Sequence, residues 1–217
     1  MLTDRLEFLK SFKNQHLILG QGAFGTVNLW ICRHSKEKRA IKQQLLSDDR
    51  DAQEWQREEL ALHTAASSSD PDARHIVRIF ASCFTDPIAL NSARPTSSRP
   101  TSSHTFAARV AYLVMEFCEL TLSTALQQLC GKPAPDCLRW SGHLFSGLTF
   151  MHSKGIIHRD LKPNNTLLAQ NLAGGFDLKI ADFGLSRQEA TVMTAAVVTL
   201  PYRAPEILFS SLTEKAG

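Results

Sequence analysis

The sequence predicts an α+β protein of two lobes, a β-rich lobe first and a mainly helical lobe after it. Three observations lead there. Residues 17–29 read as strand, Gly-rich turn, strand; beyond Cys118 the apolar residues recur at helical spacing; and two polar strings, at 158–165 and 182–184, interrupt apolar segments in the second half. A change of architecture within one chain implies a cleft between lobes, a common place for a ligand.

In the first lobe, apolar residues flank Gly20, Gly22 and Gly25, and Val27 resumes a β pattern. Residues 38–42 form another short strand. From Asp48 to Ala66 the chain is rich in Glu, Gln, Ala and Leu, with Trp55, Leu60 and Leu62 placed for one helical face. Ile76 to Phe84 and Ala111 to Phe117 are further strands. The stretch between them, residues 86–109, holds Arg94-Pro95-Thr96-Ser97-Ser98 followed at once by the same five residue types at 99–103. It has little to bury and is expected to be a disordered surface insertion; a phosphorylatable tether is the sharper alternative. In the second lobe Leu120, Leu122, Leu126 and Leu129 mark one helix, and Leu138 to Met151 a second.

Composition limits the function classes. Hydrophobic residues make up 43% of the 217, enough for a substantial core, and the net charge of +3 comes from 24 basic and 21 acidic residues with no basic block, so a nucleic-acid partner is not expected. Five cysteines without a C-x-x-C pair suggest reduced thiols rather than a disulfide framework or a zinc site. The charged N-terminus is unlike a signal peptide, and no stretch reaches the roughly 18 apolar residues of a membrane span. The expectation is a soluble protein of the cytoplasm, the nucleus or both, with no membrane partner.

The chemistry lies in four strings. Gly20-Gln21-Gly22-Ala23-Phe24-Gly25-Thr26-Val27 has the spacing G-x-G-x-x-G-x-V, in which residues without side chains let backbone N–H groups approach phosphate oxygens. The same three glycines open dinucleotide-binding folds, but there a helix follows, and here a strand does. Lys42, in Ala40-Ile41-Lys42, lies 22 residues after Gly20, where an ammonium could reach α- and β-phosphates. A carboxylate on the helix is needed to hold it; Glu59 is the first choice, with Leu60 and Leu62 after it packing inward, and Glu58 the alternative.

His158-Arg159-Asp160-Leu161-Lys162-Pro163-Asn164-Asn165 is the most specific string. Asp160 would accept a substrate hydroxyl proton, Lys162 would meet the transferring phosphoryl group, Asn165 would hold Mg²⁺, and Leu167 would floor an adenine pocket. Asp182-Phe183-Gly184 follows 17 residues after Asn165 at the end of a short apolar strand, where Asp182 can chelate Mg²⁺. Ala204-Pro205-Glu206 closes the segment.

Taken together, these strings resemble the eukaryotic protein kinases, over residues 17 to about 210. The resemblance implies a bilobal kinase fold, ATP and Mg²⁺ as cofactors, and a serine/threonine specificity signalled by Lys162 before Pro163. It implies an ATP site of Gly20, Gly22, Gly25, Val27, Ala40 and Lys42, closed by Met115 as the gate, by Glu116 and Cys118 of the hinge, and by Leu167. Residues 197–206 are similar to the cyclin-dependent kinases, which implies protein substrates with Ser/Thr-Pro through Arg203, and a cyclin or other activator as partner. Thr194 matches the activating phosphorylation site, with Arg159 and Arg187 to grip the phosphate. Ala196, where MAP kinases carry a tyrosine, points away from that group.

The chain also departs from the pattern. Ala23-Phe24 replaces an inhibitory Thr-Tyr pair. Glu58 stands where a third phosphate-binding arginine is usual, with Arg57 one position off, and residues 55–60 are not the usual cyclin-contacting motif. Pro201 replaces a tryptophan before Tyr202. The sequence given ends 11 residues after Glu206. The expected organisation is an N-terminal extension over 1–16, an N-lobe through the hinge over 17–118, and a partial, C-terminally truncated C-lobe over 119–217. A catalytically inactive fragment or pseudokinase-like regulatory module is the alternative to an active enzyme.

Overall fold

The computed structural model describes residues 8–22, 25–85, 108–129, 136–188, 200–202 and 205. The chain divides into two compact units, one of residues 1–56 and 79–117, the other of residues 57–78 and 118–217.

The first unit is a five-stranded antiparallel sheet built from β1 (Phe12–Gly22), β2 (Gly25–Cys32), β3 (Lys38–Leu46), β4 (Ile79–Phe84) and β5 (Arg109–Glu116), in the order β1-β2-β3-β5-β4. β1 begins at Phe12, inside the segment expected to be an extension. The reason lies in the core: Leu9 and Phe12 are buried with Ile41, Cys83 and Val114, and Trp30 and Tyr112 pack against them. The N-terminal residues thus cover one face of the sheet. β5 likewise starts at Arg109, the last residue assigned to the insertion, and Ala108 before it is 1% exposed. Residues 86–107 lie outside the described residues.

Helix α1 (Asp49–Ala66) follows β3, with Asp49 and Asp51 in its first turn, where carboxylates favour the positive helix end. Asp51 also accepts from the Ser47 N–H (2.8 Å) and hydroxyl (2.7 Å). Its buried residues are Glu54, Trp55, Glu58, Ala61, Leu62 and Ala65, which follow the i, i+3, i+4, i+7 rule. Leu60 was expected inside and is 55% exposed. Five residues on from Trp55 is about 500° around the helix, which turns Leu60 well away from the buried stripe.

The second unit holds β6 (Leu120–Thr121), α2 (Leu122–Gln128), α3 (Cys137–Ser153), β7 (Ile156–Ile157), β8 (Thr166–Gln170), β9 (Phe176–Ile180) and β10 (Arg187–Gln188). Thr121 caps α2 by accepting from the Thr124 N–H at 3.0 Å, leaving Leu120 and Leu122 to pack on a core of Ala125, Trp140, Leu168 and Leu178. β6, β8 and β9 form a small antiparallel sheet, and Ile76 adds a parallel bridge to Ile180. Gly147 is required where α3 meets this sheet, because a Cβ there would come within 2.9 Å of Ile180 Cδ1 and 3.2 Å of the His75 carbonyl oxygen. Among the described residues no helix is long and apolar enough to cross a membrane.

Candidate active site

In the first unit, strand register selects the face. Val27 pairs with Lys42, Lys42 with Leu113, and Ala40 with Met115. Directly opposed residues share a face and alternate residues return to it, so Val27, Ala40, Lys42 and Met115 stand together on one side of the sheet. The other side is the one covered by Leu9 and Phe12. Lys42 is 5% exposed, Met115 is buried and Glu116 half-buried. Four of the residues expected to surround a nucleotide are therefore gathered by pairing alone.

The three glycines separate by cause. Gly25 has φ +107°, and a Cβ on it would run into the carbonyl oxygen of Gln43 on β3. Its identity is dictated by the protein itself. Among the described residues, nothing lies within 4 Å of the place a Cβ on Gly20 or Gly22 would take, so no packing there requires glycine. Ala23 and Phe24 lie outside the described residues.

In the second unit the string 158–165 forms a hydrogen-bonded set. Lys162 Nζ donates to Asp160 Oδ2 at 2.7 Å, and Asn165 Nδ2 donates to the Asp160 carbonyl oxygen and to Oδ2, both at 2.9 Å. Asp160 is 5% exposed and Asn165 8%. With Nδ2 spent on Asp160, the Asn165 amide is oriented so that Oδ1 is presented as a hard oxygen donor. A 3₁₀ turn over Pro163–Asn165 holds this arrangement, closed by the Asn165 N–H on the Lys162 carbonyl at 2.9 Å. The Asn165 carbonyl accepts from Ala181 N–H at 3.0 Å, which ties the turn to the residue before Asp182.

Arg159 and Asp182 have φ of 70° and 64°, the left-handed region that disfavours residues with a Cβ. Two such residues in one site represent roughly 1–3 kcal/mol each of local backbone strain, held by the surrounding structure. Phe183 is fully buried, with its ring 4.8 Å from that of His158.

His158 has no proton-transfer role in the sequence reading; its place in the structure is to hold the backbone. Its Nδ1 accepts from the Asp160 N–H at 3.2 Å, so Nε2 carries the proton and donates to the Ala181 carbonyl at 2.9 Å. Both bonds require the neutral ring. Burial, the largest influence, pushes its pKa below the ordinary histidine value, against the opposing pull of the Ala181 carbonyl. His75 and His143, stacked at 4.3 Å, are also lowered, mainly by burial. They bracket one peptide of β9: His75 Nδ1 donates to the Leu178 carbonyl at 3.2 Å, and His143 Nδ1 accepts from the Leu178 N–H at 3.2 Å.

A histidine whose folded pKa is depressed contributes stability that is fully present above the unfolded value, near 6.5, and is lost as pH falls toward the folded value. Stability is therefore expected to decline as pH falls below about 6.5, by at most about 1.4 kcal/mol per pH unit for each lowered ring, the slope of one bound proton. Urea unfolding at pH 7.5, 6.5 and 5.5 measures this, and a flat midpoint across that range would contradict the neutral-ring assignment.

Glu58 and Glu59 differ plainly. Glu58 is 2% exposed, whereas the Glu59 side chain is 23% exposed with its Oε1 3.9 Å from His63 Nε2. Helical geometry turns Glu58 to the buried stripe with Trp55 and Leu62, so burial favours it for the carboxylate role first expected of Glu59. Arg57 is its neighbour, one position before the place at which the resemblance puts an arginine. Its Nε is buried with no hydrogen-bond partner among the described residues.

Leu167, on β8, is half-buried on the face opposite the fully buried Leu168, and Cys118 is half-buried. The Arg187 backbone pairs with Ile157 across β10 and β7. The Arg187 side chain, Thr194 and Arg203 lie outside the described residues.

The donor set fits magnesium. Mg²⁺ is commonly held by one or two side-chain oxygen ligands together with substrate phosphates and water. An oriented Asn165 Oδ1 and the Asp182 carboxylate are of that kind, and the described residues contain no group of three or more His, Cys, Asp or Glu that would make a complete protein cage.

Comparison with known proteins bears on the same residues. The protein kinase domain matches residues 13–216. A cyclin-dependent kinase 4 homolog of Caenorhabditis elegans is 31% identical over 198 residues, 89% of this chain and 43% of that protein. Mitogen-activated protein kinase 14 of Arabidopsis thaliana is 41% identical over 106 residues, 49% of this chain and 28% of that protein. The serine/threonine-protein kinase grp of Drosophila melanogaster is 30% identical over 196 residues, 88% of this chain and 32% of that protein. The chain spans less than half the length of each of these relatives.

Proposed function

The chain belongs to the protein kinase domain family, and from that premise we propose that it transfers the γ-phosphoryl group of ATP to serine or threonine hydroxyls of proteins, in a proline-directed manner similar to the cyclin-dependent kinases. The observation that carries the reading is the set Asp160, Lys162 and Asn165, joined by hydrogen bonds of 2.7 and 2.9 Å. Asp160 takes the proton from the attacking hydroxyl as the bond from phosphorus to the leaving ADP oxygen breaks and the new ester bond forms. Lys162, bonded to the same carboxylate, offsets charge on the transferring group. Asn165 and Asp182 would hold Mg²⁺, which when bound would neutralise phosphate charge.

On the sheet of the first unit, Lys42 binds phosphate oxygens, Val27, Ala40 and Met115 offer an apolar face to the adenine, and the backbone of 116–118 reads its edge. Gly20 and Gly22 leave room for backbone N–H groups to approach phosphates. Protein substrates with Ser/Thr-Pro, through Arg203, and activation by phosphate on Thr194 follow from the likeness to cyclin-dependent kinases, with Arg57 joining Arg159 and Arg187 as donors. A cyclin or other activator, and residence in the cytoplasm, the nucleus or both, belong to the same reading.

The test is transfer of labelled phosphate from Mg-ATP to a Ser-Pro peptide and to its Ser-Ala counterpart. Incorporation into the first with little into the second is expected, and equal labelling would remove the proline-directed part. Gly22→Ala supplies a second expectation. Folding stability should change by less than about 1 kcal/mol, since none of the described residues occupies the space, while KM for ATP rises severalfold. An unchanged KM would remove the phosphate role of the loop.

A further inference from the structure

Thr166 lies one residue beyond the catalytic string, opens β8, and is 2% exposed. Its hydroxyl donates to the Lys162 carbonyl at 3.0 Å, the same oxygen that accepts the Asn165 N–H at 2.9 Å. That carbonyl belongs to the residue whose Nζ reaches Asp160, and it closes the turn that carries Asn165. Thr166 is itself fixed from the other side by pairing with Ile180 of β9. The adjoining bond from Ala181 N–H to the Asn165 carbonyl continues the same ladder.

We propose that Thr166 is a positioning residue for phosphoryl transfer: its hydroxyl transmits the register of the β8–β9 pair to the Lys162 carbonyl, and so sets Lys162 and Asn165 on Asp160. The proposal rests on the kinase reading above. Threonine suits the place for two separable reasons. Its β-branch favours the extended backbone at a strand start, and its buried hydroxyl must find a partner, which makes the bond to Lys162 obligatory in the folded state. Valine keeps the branch and the shape but has no donor. Serine keeps the donor and loses the methyl group.

The experiment compares wild type, Thr166→Val and Thr166→Ser for kcat, KM for ATP and melting temperature, with Asp160→Asn as the blank. Thr166→Val should lower kcat by about three- to tenfold, the range of one hydrogen bond, with KM for ATP unchanged, and Thr166→Ser should restore most of kcat even though it loses packing. A purely structural role would move melting temperature in both variants and leave kcat alone; that result overturns the proposal, as does failure of serine to rescue. Amide hydrogen exchange at Asn165 is read in parallel. Faster exchange by a similar factor in Thr166→Val, and not in Thr166→Ser, is expected, and unchanged exchange overturns the proposal. Wild type no more active than the blank would remove the kinase reading; exchange at Asn165 would then still decide whether Thr166 holds the turn.

Discussion

Asp160→Asn should lower kcat for peptide phosphorylation by about 10² to 10⁴-fold, the usual range for loss of a general base, while leaving the fold in place. Asparagine matches aspartate in size, and an amide oxygen at the Oδ2 position would still accept from Lys162 Nζ and Asn165 Nδ2. What disappears is the capacity to take a proton. Melting temperature should shift by a few degrees at most, and KM for ATP should stay close to wild type, because Asp160 is assigned to the hydroxyl and not to the nucleotide. The variant keeping more than a tenth of wild-type kcat would rule out proton transfer to this carboxylate.

Gly25→Ala is expected to weaken the β1–β2–β3 part of the sheet. The residue sits at φ +107°, and its Cβ would meet backbone, the Gln43 carbonyl oxygen, which has no rotamer by which to withdraw. Gly22 pairs with Gly25, and Thr26 pairs with Gln43, so relief requires β2 to part from β1, from β3, or from both. Strain of this kind costs about 1–3 kcal/mol before any loss of pairing is counted. Urea denaturation should show that loss, and amide exchange should rise across residues 12–32 more than across 137–153. Gly22→Ala provides the contrast, with an intact hairpin and an altered response to ATP. If both variants behave alike, the division of the glycines by cause is wrong.

Much of this was legible in the sequence, and the misses have identifiable physics. Strands, helix and catalytic strings were found because alternation, the 3.6-residue repeat and motif spacing are local properties. The start of β1 was placed late because Phe12 to His16 look polar and irregular. They become a strand only through Leu9 and Phe12 packing on Ile41 and Val114, a pairing of distant segments. Glu59 was preferred to Glu58 by counting Leu60 as inward. The spacing of Trp55 to Leu62 already turned Glu58 inward, since 55, 58, 62 and 65 lie on one stripe and 60 does not. Nothing local marked His75 and His143 as partners; the two rings meet on a peptide of β9 that is distant in sequence from both. Thr166 carried a weak signal, a polar β-branched residue just before the aliphatic run Leu167-Leu168-Ala169.

At positions 159 and 182 the backbone takes a conformation that glycine would adopt most cheaply and asparagine with little penalty. Shape therefore offers no protection to the charges found there. On backbone conformation alone, Asp182→Gly would relieve the left-handed strain and leave the fold more stable, while removing the carboxylate proposed to hold Mg²⁺. The aspartate at 182 is thus held at a conformational cost, and the proposed metal role would account for it.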